Sequence, residues 1–415
     1  MVTLDDIRRA RERIGDRVYE SPCARSETFS RRCGVSAYFK LENLQMTGSF
    51  KERGALNKIL QLDTAARDAG IIAASAGNHA QAVAYWGRAE GIPVTIVMPR
   101  RTPVIKVANT RDYGAEVVLE GDSFDDAYRH ARELEAASGA TFVHPFDDED
   151  VIAGQGTIGL ELLEQAPQLE MVVVPVGGGG LISGISVAIK SLRPEVSIVG
   201  VEAAAVPAMQ ESVAAGAPVT ATSGVTIADG IAVKRPGALT LEYVKRHVDT
   251  LVQVDEEEIA NAVLLLLEQE KTVTEGAGAV PLAALYNRHI PEAAGRHVVM
   301  VLSGGNIDVN ILSRIIERGL AKDGRLVRIT VRLSDEPGAL AAVLETIGGQ
   351  GGNVIEVNHD RTFSDLGLAK VAVTLTLETR GRGHGREIEA AIAEAGFEAD
   401  RVPIEPLADG PRAGA

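Results

Sequence analysis

The sequence predicts an α/β protein of parallel sheets with helical crossovers, followed by a small separate domain. Three observations carry this. Short, continuous apolar runs alternate with helical patterns up to about residue 320, as strands covered on both faces require. From about residue 326 the runs become period-two strands with one polar face. At 415 residues, with 45% apolar and 24% charged residues, the chain is globular and longer than one ordinary domain.

The predicted strands of the first part are Ala37–Leu41, Gly70–Ala74, Val94–Met98, Glu116–Leu119, Met171–Val176, Ser197–Val201 and Val298–Leu302. Helical patterns Asn78–Glu90, Ser123–Glu135 and Glu256–Glu268 lie between them. In the last part Val327, Ile329, Val331 and Leu333 alternate with Arg328, Thr330 and Arg332, and Val371 to Leu377 repeat the pattern. With helices over Gly338–Gly348 and Arg386–Ala395, residues 326–403 read as strand, helix, strand, strand, helix, strand. That order is the ferredoxin-like βαββαβ arrangement. Residues 406–415 are small and Pro/Gly-rich, and are expected to form a flexible tail.

Composition excludes several function classes. Net charge is −15 and aromatics are 4%, so the clustered cations that nucleic acid needs are missing. Cys23 and Cys33 alone make neither a disulfide scaffold nor a zinc site, and a cytoplasmic setting is expected. The N-terminal stretch is charged, unlike a secretory signal. The uncharged stretch Met171–Ile189 holds five glycines and a proline, so it reads as strand, turn and helix and not as a membrane span.

Four motifs could carry chemistry. Thr47–Gly54 places Lys51 where a Gly/Ser turn runs into a helix. A cation in a first turn opposes the helix dipole, and Phe50 beside it suggests a partly apolar setting, in which a lysine becomes nucleophilic. Solvation at a helix start is the plain competing reading. Ser75–Gln81 follows a strand and opens a helix, with Ser75 in the cap region, and free amides there can hold a carboxylate or phosphate. In Val176–Ser183, Gly177, Gly178, Gly179 and Gly180 expose consecutive amides, which suits a phosphate. Gly178-x-Gly180-x-x-Ser183 also nearly matches a dinucleotide fingerprint, with Glu202 placed for a ribose, although Ser183 replaces the third glycine. The fourth motif, Leu302–Asn306, brings Ser303 to another strand end. Two glycine loops, one lysine and one hydroxyl at strand-to-helix turns suggest a phosphate-bearing aldehyde cofactor, pyridoxal 5′-phosphate (PLP).

Taken together, TGSFKERGA, SAGNHAQ, GGGGL and SGGN resemble the fold-type II PLP enzymes, and within them the threonine/serine dehydratases. The resemblance implies a catalytic domain over residues 1–322 made of two open parallel-sheet subdomains, the smaller, at about 69–146, inserted in the larger. Residues 326–403 resemble an ACT regulatory domain. By the same resemblance Lys51 would be the Schiff-base lysine and Phe50 would pack near the ring. Asn78 would bind the ring hydroxyl, Gly177 to Gly180 with Leu181 the phosphate, and Ser303 the ring nitrogen. Ser75, Gly77 and His79 would receive the substrate carboxylate. An amino-acid effector, isoleucine or valine, would sit near Pro337, Gly338, Leu340 and Asn353, in a homo-oligomer of two or four chains.

Two departures qualify the resemblance. Relatives that racemise serine carry a serine at the position of Ala76, and alanine cannot move a proton, so elimination is expected. Glu202 matches one ligand of a cation site in relatives, but Ala208 stands where a second carboxylate would be. Glu275 could serve a cation or the floor of the site, or simply a helix start. The activity implied is deamination of L-threonine to 2-oxobutanoate and ammonia, with L-serine as a further substrate. Serine racemase, hydroxyaspartate dehydratase, a β-replacing synthase, an NAD-dependent dehydrogenase and an amino-acid-responsive regulator are the alternatives.

Overall fold

The computed structural model describes residues 1–222, 224–361 and 369–403. The tail 406–415 lies outside them. The chain forms two compact units, Met1–Ile307 and Asp308–Ala415.

In the first unit the described strands are β1 (Cys23–Ser26), β2 (Ser36–Leu41), β3 (Ile71–Ala74), β4 (Val94–Met98), β5 (Glu116–Leu119), β6 (Thr141–Phe142), β7 (Met171–Pro175), β8 (Ser197–Ala203), β9 (Thr250–Val254) and β10 (His297–Leu302). They form two sheets, of order β1-β2-β10-β7-β8-β9 and β5-β4-β3-β6. The pairing is parallel throughout except for β1 against β2. The chain leaves the larger sheet after β2, builds the smaller one, and returns at β7. Strands β3 and β7 are buried at every position, which explains their unbroken apolar runs. Strands β1, β6 and β9 had no such signal: β6 is two residues long, and β1 reads Cys-Ala-Arg-Ser with two exposed positions.

One apolar cluster joins the smaller sheet to the helix Lys51–Ile59 and its neighbours Ile14, Val18 and Val151 along one side. Leu56 and Ile59 of the helix Lys51–Ile59 pack with Ala80, Val83 and Ile96 of the smaller sheet's layer. Burying each aliphatic side chain stabilises by about 1.5–3 kcal/mol, so this side is the firm attachment.

The second unit has strands β11 (Leu326–Ser334), β12 (Asn353–Asp360), β13 (Lys370–Glu378) and β14 (Glu398–Arg401), in the antiparallel order β12-β13-β11-β14. The alternating residues of β11 and β13 face Val343, Ile347, Ile388 and Ile392 of two helices. The helix Val309–Lys322 groups with this second unit. Its end is tied there by Arg382, whose guanidinium donates to the Lys322 carbonyl at 2.7 Å.

Candidate active site

Lys51 opens its helix against the end of β10. Phe50 N donates to Ser303 O at 3.1 Å, and Ser49 bridges Gly304. Two residues on, Arg53 is 1% exposed and anchors this start. Its guanidinium donates to both oxygens of Glu42 at 2.8 Å and to Glu161, which also takes the Lys40 amine. Burial alone would push the Glu42 carboxyl up, but the charge and hydrogen bonds of Arg53 outweigh it and hold Glu42 below its ordinary value.

Lys51 Nζ donates to Pro145 O at 2.7 Å and lies 5.1 Å from the centre of the Phe50 ring. Burial lowers its pKa to about 8, against the opposing pull of Glu275. Near pH 8 about half of the amines are therefore neutral and nucleophilic.

The four-glycine turn lies beside this amine because residues 145 and 146 touch both. A Cβ on Gly178 would meet the Phe146 ring at 2.3 Å, and one on Gly180 would meet the Phe146 backbone at 3.0 Å. Gly179, with φ +91°, caps the helix Gly180–Leu192 without any side-chain bond, and a Cβ there would strike Met209 and Thr240. Thr240 Oγ1 donates to Gly178 O at 2.6 Å, fixing the turn. Gly177 abuts Ile231, and Leu181 is buried.

Asn78 begins the helix Asn78–Ala89 and is held on both sides. Its Nδ2 donates to Glu275 Oε1 at 2.9 Å, and its Oδ1 accepts from Asn306 Nδ2 at 2.8 Å. Glu275 is 3% exposed. Gly230 and Gly304 leave room for its carboxylate, a Cβ on either falling 3.0 and 2.6 Å from Oε1. Burial pushes its pKa up to about 7, and Asp229 adds to the shift. A folded pKa above the unfolded 4.5 means that this group costs nothing below pH 4.5, destabilises increasingly from there to about pH 7, and carries a constant cost above that. Glu275→Gln is therefore expected to stabilise the cofactor-free protein by roughly 3 kcal/mol at pH 8, with no gain at pH 4.5, in urea unfolding at the two pH values.

The Ser75–His79 loop follows β3 and opens the helix Asn78–Ala89. Ser75 does not cap the helix; its hydroxyl accepts from Gly77 N at 3.2 Å, and Gly77 is the cap residue, leaving the helix amides without a side-chain partner. His79 Nε2 donates to Val143 O at 2.8 Å, and burial, helped by Lys51, lowers its pKa to about 3. It stays neutral, so an anion here is met by amides and not by a histidinium.

PLP fits these residues. A buried amine of lowered pKa, a glycine turn whose Cβ positions are filled by neighbours, and an uncapped helix start converge. The hydroxyls of Thr47, Ser49 and Thr274 and Nδ1 of His79 are buried without partners, as expected around a polar ligand. Ser303 sits at the end of β10 and is 3% exposed.

Other candidates lie apart. Both oxygens of Glu202 accept backbone amides, from Met209 and Gln210 at 2.8 Å, so the group caps the helix Ala208–Ala215 and is not open to a ribose. Among the described residues, three or more His, Cys, Asp or Glu side chains nowhere gather for a metal. Pro337, Gly338 and Leu340 follow the end of β11 at Ser334, whereas Asn353 aligns through Glu378 with Leu326 at its start. Eight residue steps of strand, about 26 Å, separate them, so one chain does not bring them together. Pro145, Phe146, Asn306 and Thr240 had not been assigned from sequence; only Asn306, next to SGG, stood in a motif. No helix of the described residues is long and apolar enough to cross a membrane.

The chain is 50% identical to an L-threonine ammonia-lyase of Thermotoga maritima, over 96% of this chain and 99% of the relative. It is 46% identical to the catabolic L-threonine dehydratase of Escherichia coli K12, over 76% of this chain and 96% of the relative. Among solved structures it is similar to the processed form of threonine deaminase isoform 2 from Solanum lycopersicum (TM-score 0.72, 38% identity, covering 76% of this chain and 86% of that one). It is also similar to maize serine racemase (TM-score 0.73, 35% identity, covering 77% and 98%). The pyridoxal-phosphate dependent enzyme profile matches residues 14–304, most of the chain, and the protein belongs to that family of PLP enzymes.

Proposed function

We propose that the protein is a PLP-dependent threonine ammonia-lyase, eliminating water from L-threonine to give 2-oxobutanoate and ammonia. The buried Lys51, its pKa lowered by burial, beside the four-glycine turn carries the reading, and the names of the relatives that match nearly the whole chain support it. L-Serine, one methyl smaller, is a further substrate.

When bound, PLP supplies an electron sink for the pair left at the α-carbon. Lys51 Nζ would hold the cofactor through its aldehyde carbon and, once the substrate amine had taken its place there, would be free to accept the α-proton, which only its neutral form can do. The amides of Gly177–Gly180 and Leu181 hold the cofactor's anionic group. Asn78, pinned between Glu275 and Asn306, presents its amide to the ring, and Phe50 and Ser303 complete the pocket. The uncapped amides after Gly77, with Ser75 and His79 in the same loop, hold the substrate carboxylate. The Ala76 methyl group can neither give nor take a proton, which favours elimination over racemisation.

The second unit resembles an ACT domain and is the candidate place for a branched-chain effector. Because Pro337–Leu340 and Asn353 lie at opposite ends of one sheet, a site using both takes one end from each of two copies. A keto-acid assay with L-threonine, L-serine and 3-hydroxyaspartate, with and without isoleucine, tests both readings. Threonine is expected to react fastest and isoleucine to change the rate. Absent keto acid from threonine would overturn the first reading, and an unchanged rate with isoleucine or valine the second.

A further inference from the structure

The smaller sheet is joined to the rest of the first unit unequally. Along one side the cluster around Leu56, Ile59, Ala80 and Val83 makes an apolar attachment. On the other side, over Lys51, polar contacts stand beside the Phe146 ring, which packs on Gly178. Asn78 meets Glu275 and Asn306 in the interior. Farther out, Lys106 Nζ meets Asp229 Oδ2 at 2.7 Å, the side chains being 26% and 56% exposed.

These two residues come from opposite walls. Lys106 lies on the helix Val104–Asp112, between β4 and β5 of the smaller sheet. Asp229 opens the short turn Asp229–Ile231, between β8 and β9 of the larger one. That turn borders the site: Gly230 abuts the Glu275 carboxylate, and Ile231 abuts Gly177.

We infer that Lys106 and Asp229 form an ionic latch across the mouth of the active site, and that both are positioning residues that hold the smaller subdomain closed over Lys51. The inference rests on the proposed reaction taking place in this cleft. An exposed pair suits a reversible latch. It is weak and screened by salt, so it biases closure without trapping product. The apolar side serves as the pivot, and closure keeps the Ser75–His79 loop and Asn78 against the larger subdomain.

Lys106→Met and Asp229→Asn are each expected to raise KM for threonine about two- to fivefold, with kcat kept or raised as release quickens. In the cofactor-loaded protein without substrate, amide hydrogen exchange should quicken at residues 75–81 and 104–112. The charge-swapped double variant, Lys106→Asp with Asp229→Lys, should return both readouts toward the starting protein. Unchanged KM and exchange in the single variants, or a swapped variant no better than the two single losses combined, would overturn the latch. The exchange arm needs no turnover, so it separates failure of the latch from failure of the threonine reading. Should either single variant not fold, Lys106→Arg, which keeps the charge, must preserve KM and exchange, and loss of both there also overturns the proposal.

Discussion

Lys51→Ala is expected to lower kcat with threonine by about a thousandfold or more, since in the proposed function one amine both attaches the cofactor and moves the α-proton. The purified variant should hold PLP only by its phosphate, so the visible absorbance of lysine-bound cofactor should vanish and borohydride should fix no cofactor to the chain. Lys51→Arg should not rescue either property, because a guanidinium stays protonated. The starting protein supplies a matching pH signature. Cofactor attachment to the cofactor-free chain should quicken about tenfold per pH unit below 8 and level off above it, following the neutral fraction of an amine whose pKa is about 8. A variant without Lys51 that still fixed PLP covalently would move the reacting amine elsewhere.

Arg53→Met is expected to have the largest effect on stability. It would leave Glu42, which is 0% exposed, facing Glu161 with only the Lys40 amine and neutral partners nearby. Breaking a buried pair in this way destabilises by about 3–5 kcal/mol, because the remaining carboxylates stay desolvated and uncompensated. Urea unfolding of the cofactor-free protein reads this directly. Arg100→Met, which breaks an exposed pair with Glu120, should change the midpoint little. A loss at Arg53 no larger than that at Arg100 would mean that water reaches the network. Since Arg53 stands two residues from Lys51, cofactor affinity should fall with stability.

What the sequence made legible was local. Lys51, Gly177–Gly180 and Ser303 stand where a strand or turn meets a helix, and such junctions show in a run of a few residues. The parallel sheets were legible for a similar reason: strands such as β3 and β7, buried on both faces, cannot hide a polar residue. What stayed illegible depends on residues far apart along the chain. Phe146 fills the space above Gly178 from another segment, and Lys51 Nζ finds Pro145 O 94 positions away. Nothing in a local pattern encodes either. Glu275 read equally well as a helix-start carboxylate, and only its contact with Asn78, 197 positions away, assigns it to the site. Glu202 went the other way. Its spacing from the glycine turn suggested a ribose, but the neighbouring helix start takes both its oxygens.

The spread of Pro337 and Asn353 over the length of β11 changes what an assay of regulation would see. A sensor whose ligand must touch two chains at once responds to how crowded those chains are. Its apparent sensitivity to isoleucine would fade on dilution even though every molecule remained folded and active, so dose–response curves taken at nanomolar and micromolar enzyme would differ.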